Sequence, residues 1–161
     1  MGVTGAGKTT LGLRLAEDLR APFIDGDDLH SADAVAKMSA GVPLEDDDRW
    51  PWLERVGLWL EERPDGVVAC SALKRAYRDA IRVHAPDALF IHLNAPQADL
   101  EPRVRRRARK TGHFAGAGLL DSQYEALEPL EADERGAGID VTRFSPEGAA
   151  LIARAAMDAA R

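Results

Sequence analysis

Leu11, Leu15 and Leu19 stand four apart, and Leu13 and Ala16 widen the stripe, so the spacing predicts a helix over 8–19. Pro22 closes it. Residues 22–25, 66–71 and 88–93 are short apolar runs without polar alternation, the pattern of parallel strands covered on both faces. Residues 139–141 form a weaker final run. Between these runs the helical period returns. It covers 31–38, and then 45–60, where Leu53, Val56 and Leu60 are in line and Trp52 and Trp59 flank them as core. It resumes from 74 through Tyr77 and Ile81, after Asn94-Ala95-Pro96, and over 119–127. Ser145 reads as the cap of a last helix with Pro146 in its first position, running along Ala149, Ile152, Ala153 and Ala156. Strands that alternate with helices predict an α/β fold with a parallel sheet.

Composition narrows the class. At 161 residues the chain reads as a single domain with room for a core. Its net charge of −6 argues against a general nucleic-acid binder. One cysteine, Cys70, excludes an internal disulfide and a cysteine-based zinc cluster. No apolar run approaches the roughly 20 residues that cross a bilayer, and no signal peptide is visible, so no membrane is expected and the default location is the cytoplasm.

The first candidate chemistry precedes the first helix. Gly2-Val3-Thr4-Gly5-Ala6-Gly7-Lys8-Thr9 fits G-x-x-x-x-G-K-[ST] at every fixed position. Glycines let successive N–H groups point into one hollow that accepts phosphate oxygens, and the helix N-terminus adds partial positive charge. Gly2 through Thr10 are therefore candidate nucleotide contacts: Gly2, Val3, Thr4, Gly5, Ala6, Gly7, Lys8, Thr9 and Thr10. Lys8 is placed to reach the β- and γ-phosphates and Thr9 to hold Mg²⁺. The alternative is a glycine-rich turn that only caps the helix. A phosphate loop is normally preceded by a strand, and here only Met1 stands before it; the expectation is that the natural chain begins upstream and that a first strand is missing.

Carboxylates follow at the ligand end of the next strand. In Asp25-Gly26-Asp27-Asp28-Leu29-His30, Asp25 and Asp27 are two apart and share a side in extended chain. One can hold a metal while the other takes a proton from a hydroxyl; the alternative is helix capping. Arg49, beside Trp50-Pro51-Trp52, is either held for carboxylate recognition or paired with the acidic run 45–48. Lys74 and Arg78 are spaced i, i+4 and predict two cations on one helix face, suited to an anion or to solvent. The run 103–110 is dense in arginine: an RNA patch, a solvated face or, the reading favoured, a lid that brings arginines to phosphates. Arg105 and Arg109 share one of its faces, Arg106 and Lys110 another. A lid of about 105–120 continues through a glycine-rich loop bearing His113. No [NT]-K-x-D segment supports guanine reading. The layout is that of a P-loop NTPase three-layer sandwich of the nucleoside-monophosphate-kinase type.

Taken together, MGVTGAGKTT, FIDGDDLHSADAVAKMSAGVPLEDDDRWPWL, VVACSALKRAYRD, FIHLNAP, TGHF and LLDSQYEALEPLEADE make the chain similar to the gluconokinases of the P-loop, shikimate-kinase-like family. The resemblance implies ATP-dependent phosphorylation of D-gluconate to 6-phosphogluconate with Mg²⁺, and a homodimer. It implies that Thr9 and Asp25 organise the metal, Asp27 takes the proton of the C6 hydroxyl, and Lys8 with Arg105 and Arg109 neutralises the transferred group. Arg49, Lys74 and Arg78 are the candidates for the substrate carboxylate, with His30 and His113 as further contacts. Two departures stand out: the family has a strand before MGV, and its lid reads R-x-x-x-R-x-G-H-F followed by Met-Pro. Here two residues separate Arg109 from Gly112 and Ala115-Gly116 replaces Met-Pro, so either the lid carries one extra residue or Lys110 takes an arginine's place. Adenylylsulfate kinase also pairs a P-loop with an L/I-D-G-D segment but lacks CSALK. A regulatory nucleotide-binding module and a truncated inactive chain are the remaining alternatives.

Overall fold

The computed structural model describes residues 1–111 and 117–160. Helix α1 (Lys8–Leu19) starts and stops where its leucine stripe does, closed by Arg20 in the left-handed region. Strand β1 (Phe23–Asp25) leads into a 3₁₀ turn (Gly26–Leu29), and α2 (Ala32–Ser39) follows, capped by the Ser31 hydroxyl. Helix α3 (Asp46–Glu61) opens on a reciprocal cap in which Glu45 and Asp48 each bind the other's backbone. Then come β2 (Val67–Ala69), α4 (Arg75–His84), β3 (Phe90–Asn94), α5 (Gln97–Thr111), α6 (Ala117–Ala126), β4 (Gly136–Asp140) and α7 (Pro146–Ala159). The last strand begins three residues before its apolar run, because Gly136 lies so close to β3 that a Cβ there would stand 2.4 Å from the Phe90 carbonyl oxygen.

Strands β1 and β2 pair in parallel, as do β3 and β4. One apolar cluster lies under α1 and α7, with Leu11, Leu15, Leu93, Ile139 and Ala153 at its centre. The other lies under α3 and α4, with Trp52, Leu53, Val56, Tyr77 and Ile81. Helices thus cover both faces, the three-layer arrangement expected.

Between β2 and β3 the described chain places only Met1 and Gly2. The Met1 amine donates to the Ile91 carbonyl at 2.5 Å, its carbonyl accepts from the Leu93 N–H at 3.0 Å, and the Gly2 N–H donates to the Ser71 carbonyl at 3.1 Å. These are ladder contacts to both neighbours at the ligand end of the sheet. Behind them a cavity of about 690 Å³ runs between the strand pairs, lined among others by Leu15, Val56, Val68 and Ile91. Among the described residues no strand lies in that slot. Burial in it pushes the Met1 amine down to about 5.

Candidate active site

The loop before α1 is built on glycines in conformations that side chains resist. Gly2 has φ 136°, and a Cβ on it would lie 2.5 Å from the Leu93 carbonyl oxygen; Gly5 has φ 79°, and a Cβ there would meet Val104 Cγ2 at 2.8 Å. Not every residue of the motif turns its N–H into the hollow. The Gly2 N–H is bound to Ser71, the Thr4 N–H donates to Gln123 Oε1 at 2.6 Å, and Val3 is buried with its carbonyl accepting from Lys8 Nζ at 3.0 Å. The open donors are those of the helix start: α1 has Gly7 as its N-cap and no side-chain cap, so its first N–H groups face outward. Of the nine candidate nucleotide contacts, Gly7, Lys8, Thr9 and Thr10 hold this open position.

The two acids of the D-G-D segment stand beside that opening. Thr9 Oγ1 donates to Asp25 Oδ2 at 2.8 Å, and Asp25 Oδ1 accepts from the Asp27 N–H at 3.2 Å, so Asp25 caps the 3₁₀ turn and ties it to α1. Both readings of the segment hold: Asp25 caps, and with Thr9 it presents a hydroxyl and a carboxylate together. That pair fits Mg²⁺, a hard cation that takes one or two carboxylates and leaves the rest of its shell to water and phosphate. Among the described residues no larger cluster of His, Cys, Asp or Glu gathers to form a metal cage.

Asp27 stays exposed in the cleft. Desolvation there, then the neighbouring Asp25, raises its carboxyl above the ordinary range, against the pull of Lys8 and His30. The Lys8 ammonium is lowered, chiefly by burial, while Asp27 draws it upward. Asp27 and Lys8 are thus near enough to act on each other's charge. The Arg107 guanidinium adds a small share to the lowering of Lys8. Arg105 pairs with Glu101 at 3.4 Å, and Arg105 and Arg109 line a shallow groove with Glu101, Pro102 and Arg106. Their shared helical face was legible, but the direction in which that face points was not. His113 and the glycine-rich loop around it lie outside the described residues.

The turn that carries Asp27 is fixed from α3. Trp52 Nε1 donates to the Gly26 carbonyl at 2.6 Å, and His30 stacks on Trp52 with ring centroids 4.5 Å apart. Trp52 is core, as expected. Burial lowers the pKa of the half-buried His30, against the upward pull of Asp27. Arg49 acts on His30 as well, which brings the start of α3 to the same cleft.

At that helix start Arg49 and Lys74 converge. Arg49 Nη1 donates to Asp46 Oδ1 at 3.1 Å, and Lys74 Nζ donates to Asp46 Oδ2 at 2.8 Å. Arg49 thus pairs with the acidic run, and Lys74 joins it. Lys74 is the extended N-cap of α4, not a helical residue, so the i, i+4 argument that put Arg78 beside it does not apply. Arg78 is wholly buried: Nε and Nη2 hold Glu134 at 2.7 and 2.6 Å, and the remaining N–H groups bind the carbonyls of Ala72, Leu73, Glu128 and Pro129. With its donors satisfied inside the protein, Arg78 is a structural clamp on the segment before β4 and is withdrawn as a substrate contact.

Comparison with known proteins shows the family. A family model described as shikimate kinase matches residues 4–128. The thermosensitive gluconokinase of Escherichia coli (strain K12) is 46% identical over 139 residues, covering 84% of this chain and 73% of that protein. The probable gluconokinase of Xenopus tropicalis is 43% identical over 162 residues, covering 89% of this chain and 84% of that one. The crystal structure of a gluconokinase from Sinorhizobium meliloti 1021 superposes with a TM-score of 0.86 at 42% identity, covering 98% of this chain and 89% of that one. A phosphate-loop motif, a D-G-D turn tied to the helix after it and matches of this length have one reading: the chain belongs to the gluconokinases of the shikimate kinase family.

Proposed function

We propose that this protein transfers the terminal phosphoryl group of ATP to the C6 hydroxyl of D-gluconate, giving 6-phospho-D-gluconate and ADP. The observation that carries the reading is the Thr9–Asp25 hydrogen bond of 2.8 Å, which ties the D-G-D turn to the uncapped N-terminus of α1. The new bond joins O6 to the γ-phosphorus, the bond to the β,γ-bridging oxygen breaks, and the hydroxyl proton goes to Asp27. The N–H groups of Gly7 to Thr10 hold phosphate oxygens, and Lys8 and Arg107 neutralise charge on the moving group; in related systems a well-placed arginine is worth about 10³–10⁵ in rate. Thr9 and Asp25 would hold Mg²⁺, whose chemistry is to bridge phosphate oxygens and offset their charge. Arg49, from the start of α3, and Lys74, delivered by the CSALK segment, take the carboxylate end of the substrate.

The test is ADP release over gluconate, glucose, shikimate and adenylylsulfate. Release with gluconate alone is expected; release with adenylylsulfate alone would replace the reading, and nucleotide binding without release would mean a module without transfer chemistry. Thr9→Val keeps the size of the side chain and loses the oxygen next to Asp25. It is expected to raise the Mg²⁺ concentration at half-maximal rate by about tenfold or more, a second metal ligand being worth that much. An unchanged Mg²⁺ titration would remove Thr9 from the metal site.

A further inference from the structure

One carboxylate that the motif does not include organises the acid end of the site. Asp46 is the first residue of α3, in a turn already locked by the Glu45–Asp48 cap. Its carboxylate accepts from Arg49, from Lys74 through both oxygens, and from the hydroxyl of Tyr77, a residue only 4% exposed. The ring of Tyr77 lies under both cations, 5.2 Å from Lys74 Nζ and 5.9 Å from Arg49 Cζ, and Trp50 meets it edge-on at 5.5 Å. Asp46 is thus pinned by its backbone, by the helix N-terminus and by a buried hydroxyl.

The cations, by contrast, are only partly used. Arg49 donates through Nη1 alone, to Asp46 and to Tyr77, so among the described residues its Nε and Nη2 donors have no protein partner. Both cations keep about a third of their side chains exposed. Two positive groups and one negative group leave the cluster with one net positive charge. Its Arg49 stands one turn of α3 before Trp52, whose indole holds the turn bearing Asp27 at Gly26.

We propose that Asp46 is the positioning residue of sugar-acid recognition: anchored by Tyr77, it holds Arg49 and Lys74 on either side of a single seat for the substrate carboxylate, with the free edge of Arg49 turned to it. This rests on the gluconate reading of the site. Asp46 does not itself touch the acid. Unheld, two like charges on flexible stems repel and spread, and the fork that a carboxylate needs is lost.

The test measures KM and kcat for gluconate, KM for ATP and melting temperature in the wild type and in Asp46→Asn. The expected result is a gluconate KM raised about tenfold or more, the scale of one charge-assisted hydrogen bond, with kcat and ATP KM within about threefold. A gluconate KM that is unchanged overturns the proposal, and so does one that falls, since Asp46 would then compete with substrate for the cations. If Asp46→Asn does not fold, Tyr77→Phe decides: loss of the anchoring hydroxyl alone is expected to raise gluconate KM severalfold at constant kcat, and an unchanged KM overturns the proposal. Failure of the wild type to release ADP with gluconate is the separate result that removes the functional reading and this inference with it.

Discussion

Asp27→Asn is expected to lose about 10²–10⁴ of turnover, the range that a positioned general base supplies, while nucleotide affinity stays within a few fold. The phosphate hollow is made by the start of α1, and Asp27 contributes nothing to it. The pH dependence follows from the direction of its shift. Asp27 works as the carboxylate, and desolvation with Asp25 raises its carboxyl. The wild-type rate should therefore fall on acidification at a pH above the ordinary carboxylate range, and the variant should lack that limb. The same shift predicts the stability. A carboxyl whose folded value is raised costs stability once it is ionised, so at neutral pH Asp27→Asn should melt no lower than the wild type. A variant that turns over normally removes Asp27 from the chemistry; one that melts well below the wild type contradicts the account of its environment.

Glu134→Gln is expected to be the most destabilising conservative change in the protein, costing about 3–5 kcal/mol in a denaturant titration. It leaves the Arg78 guanidinium buried without a counter-charge, and it also releases Arg82, which reaches Glu134 at 3.0 Å. That is a large share of the roughly 5–15 kcal/mol that holds a domain together. Replacing both partners, Arg78→Met with Glu134→Leu, should cost far less, because no unpaired charge remains. Arg78 and its neighbours hold the Glu134 carboxyl down at about 2. A depressed carboxylate stabilises the fold fully above its unfolded value, about 4.3, and that contribution drains away as pH falls from there toward 2. The gap in stability between wild type and Glu134→Gln should narrow over the same window.

These two residues mark what could and could not be read from the chain. The placement of the D-G-D turn against the start of α1 was legible because it depends on local spacing: a strand end, a glycine and acids set by a short turn. Arg78 was misjudged because its role depends on residues 50 and more positions away, and because the helix it belongs to starts one residue later than the i, i+4 pairing needed. Glu134 carried no local signal at all; a buried arginine announces itself only through the fold. Arg105 and Arg109 were paired because the helical period says which residues share a face; it does not say which face meets the phosphate loop. Asp46 was seen only as part of an acidic run, although the presence of a cation, a tyrosine and a lysine in the neighbouring motifs was in plain view. Helices were found almost to the residue where leucines and caps marked them. The final strand was found late because its first three residues are Gly136, Ala137 and Gly138, whose contribution is closeness of backbone and not side-chain pattern.

The bond from Thr4 to Gln123 joins residues 119 positions apart, and α6 is further tied to the entry of α5 by Tyr124 on the Ala95 carbonyl at 2.7 Å. An amide has one hydrogen to give. With that hydrogen given to Gln123, the Thr4 amide is closed to phosphate, and a shift of α6 pulls on the loop whose later amides hold it. Occupancy of the hollow and seating of this helix are therefore one balance with two ends. By reciprocity, any ligand that reseats α6 alters nucleotide affinity by the same factor that nucleotide alters its own.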